Sequence, residues 1–167
     1  VSGSEAVGGV VGRMLAIGTI SNCNNNASVT STGSGDAAGG IVGKAYYTSN
    51  NGTMKINDCT NKGSITGGYA AGGVVGFSAA DVVDYTNTAK VTGATEAGGI
   101  VGEQTNYGKI SGNSNSGNIS NNSTGGTAYG DIIGWVRYQN NSSAYPLTAT
   151  ITVSNNTNSG TISGTGC

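Results

Sequence analysis

The stretch EAGGIVGE, at Glu96–Glu103, decides the fold because the chain repeats it. Related strings are DAAGGIVGK at Asp36–Lys44 and YAAGGVVGF at Tyr69–Phe77. Repetition at a period of roughly 20 to 50 residues indicates a solenoid, propeller or similar array. The glycine phrase occurs five times, at residues 8–12, 39–43, 72–76, 98–102 and 130–134, and the last copy is degraded by an Asp in place of a glycine.

A second pattern follows each phrase and aligns without a gap, as in INDCTNKGSITG at Ile56–Gly67. It brings an Asn to one shared position, and we expect a column of stacked Asn side chains whose backbone tolerates a left-handed turn. Four positions later it brings a β-branched residue, which alternation predicts to point inward. The Asn residues are Asn25, Asn61, Asn87, Asn115 and Asn158. The inward apolar residues are Val29, Ile65, Val91, Ile119 and Ile162.

A single repeat is too small to fold alone. Burying about four apolar side chains contributes roughly 1.5–3 kcal/mol each, whereas ordering about 30 residues costs roughly 1–2 kcal/mol per residue. Stacked repeats share backbone hydrogen bonds and a common core, so each stabilises its neighbour. The sequence therefore predicts an all-β, single-stranded parallel β-helix (β-solenoid) of about five coils of three short strands, wound right-handed. We expect one continuous domain over residues 1–167, with a long loop at 136–150.

Composition excludes several classes of function. The chain carries seven basic and eight acidic residues, scattered singly, so no basic stripe exists to bind nucleic acid. No apolar run approaches the roughly 20 residues needed for membrane insertion. The chain has no His and only three Cys, so we expect neither a metal site nor a cofactor.

The glycine phrase and the pattern that follows it are together characteristic. Repeated AGGIVG and AGGVVG, followed by I-x-[ND]-C-x-N-x-G-x-[IV]-x-G, resemble the GLUG-type repeats of bacterial cell-surface and secreted proteins, some of them adhesin-like. The resemblance covers essentially the whole chain. It implies a β-rich array that is extracellular or at the bacterial cell surface, and it brings no catalytic residues with it.

Aromatic residues in or near the variable loops after the glycine phrase form one candidate site. Aromatic rings can stack on sugars, and variable solenoid loops often carry binding. The alternative, which we favour from the sequence, is that they cover the edge of the core. These residues are Tyr46, Tyr47, Tyr107, Trp135, Tyr138 and Tyr145.

Carboxylates form a second candidate, because some parallel β-helices degrade polysaccharides with clustered acids. Asp58 and Asp84 occupy equivalent positions in neighbouring repeats, and Asp81, Glu96 and Glu103 are also available. The favoured interpretation is that all five are solvated turn or rim residues, since other copies hold Asn or Gly where Asp58 and Asp84 stand.

Two further features have mainly structural interpretations. Cys23 and Cys59 are aligned one repeat apart, so a disulfide is possible, but a stack of free thiols is favoured. Ser and Thr flank the inward apolar column and invite an ice-binding hypothesis, which Lys90 and Asn118 weaken by interrupting one flank.

The sequence as a whole predicts a non-enzymatic structural and adhesive module. We expect it to self-associate through uncapped solenoid ends or to adjoin further repeats of a longer chain. The alternative is a carbohydrate-binding module that uses the aromatic loop residues to bind glycans. An ice-binding or polysaccharide-degrading β-helix is the third hypothesis.

Overall fold

The computed structural model describes residues 1–46, 53–106, 108–123, 128–137 and 150–164. These residues form 26 strands, each two to five residues long. They form no helix, and hence none long and apolar enough to cross a membrane. The strands belong to five sheets, and every strand pairs in parallel with its equivalent in the adjacent coil.

Sheets 1 to 5 follow one another along each coil, and each sheet runs the length of the stack. Sheet 1 contains β1 (Ser2–Gly3), β6 (Val29–Ser31), β11 (Ile65–Gly67), β16 (Val91–Gly93), β21 (Ile119–Asn121) and β26 (Ile162–Ser163). Sheet 2 contains β2 (Val7–Gly8), β7 (Ala38–Gly39), β12 (Ala70–Gly72), β17 (Glu96–Gly98) and β22 (Ala128–Gly130). Sheet 3 contains β3 (Val11–Met14), β8 (Val42–Ala45), β13 (Val75–Ser78), β18 (Val101–Thr105) and β23 (Ile133–Arg137). Sheet 4 contains β4 (Thr19–Ser21), β9 (Lys55–Asn57), β14 (Asp81–Val83), β19 (Gly108–Ser111) and β24 (Ile151–Ser154). Sheet 5 contains β5 (Asn24–Asn25), β10 (Thr60–Asn61), β15 (Thr86–Asn87), β20 (Ser114–Asn115) and β25 (Thr157–Asn158).

The coils stack in the register that the repeats predict. The first glycine of each phrase pairs with the first glycine of the next along sheet 2, as Gly39 does with Gly72. The β-branched residues pair along sheet 1 in the same way, as Ile65 does with Val91. The prediction of a parallel solenoid of stacked coils is confirmed.

Each coil contains five short strands where the sequence indicated three. The glycine phrase contributes two of them, because the chain turns in the middle of the phrase, between Gly39 and Val42 in the second coil. The Asn position forms a further strand of two residues, such as Thr60–Asn61. The sequence analysis had merged these segments because the turns that divide them are too short to show as separate loops.

The left-handed backbone lies three residues before the Asn column, which corrects our expectation that the column itself would adopt it. The corner between sheets 4 and 5 has positive φ, for example 53° at Asp58 and 60° at Asp84. Asn, Asp and Gly are the residues that tolerate this conformation. The five corner residues are Asn22, Asp58, Asp84, Gly112 and Asn155.

Two apolar cores fill the coils. The first lies between sheets 3 and 4 and reaches sheet 5, and it includes Ile41, Ile56 and Tyr85. The second lies between sheets 1 and 2 and contains the inward apolar column. Val29, Ile65, Val91 and Ile119 are fully buried there, and Ile162 packs against them while partly exposed.

Along sheet 3, the side chains switch from one face of the sheet to the other at a glycine. This switch positions the residues that form the candidate site. Val75 packs in the first core, whereas Phe77 joins a separate cluster with Ala37 and Ala70. In a regular strand, residues two apart point to the same side. A Cβ on the intervening Gly76 would lie 2.7 Å from the carbonyl oxygen of Ala38, so only glycine permits this close approach.

Candidate functional site

A groove runs outside the corner between sheets 2 and 3. Its sheet 3 side is the column of residues that directly follow the glycine phrases, in which Lys44, Phe77, Glu103 and Trp135 pair in register. On its sheet 2 side, Ala70 pairs with Glu96. Apolar residues of one coil are therefore replaced in the next by two carboxylates, one on each side of the groove.

Both carboxylates are fully buried, which corrects our assignment of Glu96 and Glu103 to the solvated rim. Arg137, two residues beyond Trp135 on β23, reaches back to Glu103. Its Nη2 lies 2.6 Å and its Nε 2.7 Å from the same oxygen, Oε1. The other oxygen of Glu103 and both oxygens of Glu96 have no hydrogen-bond partner within the described ranges.

The environment favours the protonated form of one of the two carboxyl groups, Glu96. Burial raises the pKa of Glu96 to about 8, and the adjacent negative charge of Glu103 adds to the rise. Burial by itself lowers the pKa of the Arg137 guanidinium, but the charge and hydrogen bond of Glu103, with smaller contributions from Tyr69 and Glu96, together raise it. At neutral pH the raised pKa keeps Glu96 largely protonated, while the neighbouring Glu103 is ion-paired with Arg137.

Tyr69 lies above this pair. Burial raises the pKa of its phenol to about 12, with further contributions from the charges of Glu103 and Glu96. The phenol consequently stays protonated at physiological pH, with its hydroxyl close to the carboxyl group of Glu96.

Next to these residues the groove widens into an open cavity of about 410 Å³. Its walls combine three aromatic rings with two cations and one carboxylate. Lys44 Nζ lies 4.6 Å from the ring centre of Phe77 and 5.8 Å from that of Tyr46, within the range of cation–π attraction. The side chains that line the cavity belong to Asp36, Lys44, Tyr46, Tyr69, Phe77 and Arg137.

The structure places two of the six predicted aromatic residues at this groove. Tyr46 lines the cavity and packs edge-on against Phe77, with ring centres 5.8 Å apart. Trp135 is 37% exposed at the next position of the column, with the guanidinium carbon of Arg137 5.5 Å from its ring centre. The other four, Tyr47, Tyr107, Tyr138 and Tyr145, lie outside the described residues, as does most of the predicted loop at 136–150.

Sequence reasoning missed Lys44, Tyr69, Phe77 and Arg137. One signal was available, because Lys44 and Phe77 share the position directly after their glycine phrases, where Glu103 and Trp135 also stand. A position that changes from cation to aromatic ring to carboxylate, within a repeat that is otherwise regular, indicates specialisation. Nothing in the spacing pointed to Tyr69 or to the reach of Arg137.

The Asn column forms a continuous ladder of side-chain hydrogen bonds. Each amide nitrogen donates to the side-chain oxygen of the next Asn at 2.8 Å, from Asn25 through to Asn158. Each amide also bonds the backbone two residues on, as Asn61 does with the carbonyl and N–H of Gly63. The ladder leaves the inner amides no donor to offer a ligand, and its role is structural.

The remaining acidic candidates lie on sheet 4 and at its corner. Asp81 accepts a 2.8 Å hydrogen bond from the backbone N–H of Lys109. Asp58 and Asp84 hold left-handed corners and share a shallow depression of about 330 Å³ with Asp81. Within the described ranges no group of three or more His, Cys, Asp or Glu residues is placed to hold a metal ion.

The two aligned cysteines are unbonded thiols. The backbone N–H of Cys23 donates to Cys59 Sγ at 3.2 Å, and burial raises the pKa of the Cys59 thiol. Tyr85 and Asn113 continue the same column, where the Asn113 oxygen accepts from the Tyr85 N–H. The column is thus filled by side chains of different sizes and belongs to the core.

The Ser and Thr flanks of sheet 1 form side-chain pairs across some coils. Ser28 and Ser64 lie 3.0 Å apart, and Thr92 and Ser120 lie 3.2 Å apart. Each pair shares one hydrogen bond, which leaves the second hydroxyl hydrogen and the remaining lone pairs outside the pair.

The fold defines the class of protein, a parallel β-solenoid built from tandem repeats. Within it, residues 3–30 match the family model of the GLUG motif, and the sequence resemblance is confirmed for this coil. The match is consistent with a GLUG-type repeat region. No curated protein and no solved structure gives a significant match to the chain.

Proposed function

We propose that the chain is a non-enzymatic structural and adhesive module, a solenoid segment that works outside a bacterial cell. The match to the GLUG motif supports this setting, because the resembling repeats belong to surface and secreted proteins. The regular stack of coils, with a hydrogen-bonded ladder along its length, suits a stalk or filament segment.

One observation carries the proposal. Inside the stack, certain apolar side chains are buried between neighbouring coils. At the two outer coils, the equivalent side chains are exposed. Val10 is 46% exposed, whereas its equivalent Ile41 is fully buried. Val153 is 51% exposed, whereas its register partner Ile110 is fully buried. A further coil, from the same chain or from another copy, would cover these surfaces and pair with the open strand edges.

The positions of the carboxylates support a function without catalysis. Glu96 and Glu103 are enclosed, and the exposed Asp58 and Asp84 are corner residues whose place is taken by Asn or Gly in the other coils. A hydrolase of this type would need two accessible carboxyl groups that flank a substrate.

Sedimentation velocity and electron microscopy over a range of concentrations test the proposal. We expect end-to-end rods that lengthen with concentration, and we expect Val153→Lys to shorten them. The control Thr152→Lys changes the neighbouring outward position and should leave assembly unaltered. A protein that stays monomeric, and that unfolds at the same temperature when two copies are joined in tandem, would contradict the proposal.

The groove favours a second candidate function, carbohydrate binding. Tyr46, Tyr69 and Trp135 present aromatic surface beside charged hydrogen-bonding groups, an arrangement typical of sugar sites. A glycan array tests this candidate independently of assembly. Retention on glycans that is lost in Tyr46→Ala supports it, and the absence of retention on any glycan contradicts it.

A further inference from the structure

We propose that the cavity between sheets 2 and 3 is a subsite for an acidic saccharide, in which a sugar ring bears a carboxylate. The inference deepens the carbohydrate-binding candidate and rests on it. It follows from the contacts that hold Lys44 and Arg137, and from the N–H donors that these contacts leave unused.

Lys44 is oriented without an acidic partner. Its ammonium lies over Phe77 and near Tyr46, and no ion pair of Lys44 occurs in the part of the chain that the structure describes. Phe77 is almost fully buried and packed against Ala37 and Ala70, so it is a rigid support. An ammonium held over an aromatic ring, outside any ion pair, can still donate hydrogen bonds to a ligand.

Arg137 is only partly used by Glu103. Both of its close contacts converge on a single oxygen, which leaves Nη1 outside the ion pair. The side chain of Arg137 is 34% exposed and lines the cavity, whereas Glu103 is fully enclosed behind it. The cavity therefore faces the guanidinium and not its counter-ion.

The charged groups that face the cavity are mainly cationic. Lys44 and Arg137 line it, Asp36 is the one carboxylate that lines it within the described ranges, and Glu103, which pairs with Arg137, is enclosed behind the guanidinium. A ligand carboxylate placed between the ammonium and the guanidinium would form charge-assisted hydrogen bonds, which are stronger than those of a neutral hydroxyl. Asp36 is placed to accept hydrogen bonds from the hydroxyl groups of the same sugar.

The aromatic rings explain why the ligand is a sugar and not a simple carboxylate. Tyr46 and Tyr69 are both half-buried, and each leaves part of its ring to the cavity. A pyranose ring has an apolar face of C–H groups that packs on such surfaces. The cavity of about 410 Å³ lies within the range of small-molecule sites.

Isothermal titration calorimetry with paired oligosaccharides tests the inference. The probes are hexamers of galacturonate, glucuronate and mannuronate, each compared with its carboxyl-reduced neutral counterpart. We expect at least one acidic hexamer to bind about tenfold more tightly than its neutral counterpart, and added salt to reduce the difference.

Lys44→Gln is the diagnostic variant, because it removes the cation and keeps the length of the side chain. We expect it to abolish most of the preference for the acidic hexamer while leaving thermal unfolding unchanged. Lys90→Gln is the matched control, because Lys90 is exposed, directly precedes a strand of sheet 1 and does not line the cavity, and this variant should bind like the wild type.

The possible outcomes distinguish a failure of the acidic subsite from a failure of carbohydrate binding as a whole. Binding of a neutral hexamer at least as tightly as its acidic counterpart overturns the acidic subsite and preserves carbohydrate binding. The absence of binding to every hexamer overturns both. Competition by acetate or glutamate at the concentrations effective for the uronates would show that the ring is not recognised, and would also overturn the inference.

Discussion

Asn61 donates a 2.8 Å hydrogen bond from its side-chain amide to the side-chain oxygen of Asn87, one coil away. Both residues are fully buried. A second 2.8 Å bond reaches Asn61 from Asn25, in the coil on its other side. These contacts join successive coils through side chains as well as through the backbone, so the ladder fixes the register in which the coils stack.

Replacing one inner Asn of the ladder should strongly reduce the free energy of unfolding. Asn61→Ala leaves the backbone N–H and carbonyl of Gly63 and one amide hydrogen of Asn25 without their partner. Because each buried unsatisfied group costs about 1–3 kcal/mol, we expect the free energy of unfolding in urea to fall by at least about 3 kcal/mol. Asn158→Ala, at an exposed step of the same ladder, is the control and should cost less than half as much. Equal losses at the two positions would show that the ladder does not couple the coils.

The second glycine of the first four phrases is a steric requirement. A Cβ at Gly73 would lie 2.0 Å from the carbonyl oxygen of Gly99 and 2.5 Å from the side chain of Asn87. Gly73→Ala must therefore separate two coils, and we expect it to prevent folding or to lower the urea midpoint severely. At Gly35 a Cβ meets nothing within 4 Å, so Gly35→Ala should be neutral. A mild effect of Gly73→Ala would contradict the close packing of the coils.

The raised pKa of Glu96 predicts a stability that falls with pH. Between the ordinary pKa of a glutamate and about 8, the native state holds one more proton than the unfolded state. The free energy of unfolding should therefore decrease as pH rises through this window, by at most about 1.4 kcal/mol per pH unit from this group. Glu96→Gln should remove that slope and stabilise the protein at pH 8, as measured by urea unfolding from pH 5 to pH 9. Glu5→Gln, at an exposed position, should keep the slope. An unchanged slope in Glu96→Gln would refute the assignment.

The ion pair joins the partly exposed Arg137 to the fully enclosed Glu103, and the stability contributed by each residue should depend on the other. Arg137→Gln leaves the enclosed carboxylate uncompensated, and we expect a loss of about 3–5 kcal/mol in the free energy of unfolding. Adding Glu103→Gln removes the stranded charge and should recover most of the loss. The coupling is measured by a double-mutant cycle, and additive effects of the two substitutions would show that the pair contributes nothing specific.

The sequence predicted the stacking but not the shape of the coil. The alignment of Asn61 with Asn87 and of Ile65 with Val91 was visible because each position repeats with the same physical demand in every coil. The face change at Gly76 was not visible, because glycine marks a close approach without saying which backbone approaches. This face change determines the direction of the Phe77 side chain, and the groove exists because of that direction.

The candidate site was predictable only in part, for a similar reason. Tyr46 and Trp135 could be selected as aromatic residues near variable segments. The burial of Glu96 and Glu103 could not be predicted, since a carboxylate in a polar repeat is ordinarily solvated. Their enclosure depends on Tyr69 and on Arg137, which reaches Glu103 from the next coil.

Nuclear magnetic resonance gives the most direct test of the central claim that equivalent residues of successive coils lie over one another. In a protein of 16.3 kDa the side-chain amide protons of the Asn ladder can be assigned individually. The structure predicts nuclear Overhauser cross-peaks from the Asn61 amide to the amides of both Asn25 and Asn87. The absence of these cross-peaks, or contacts that report antiparallel strands, would contradict the account.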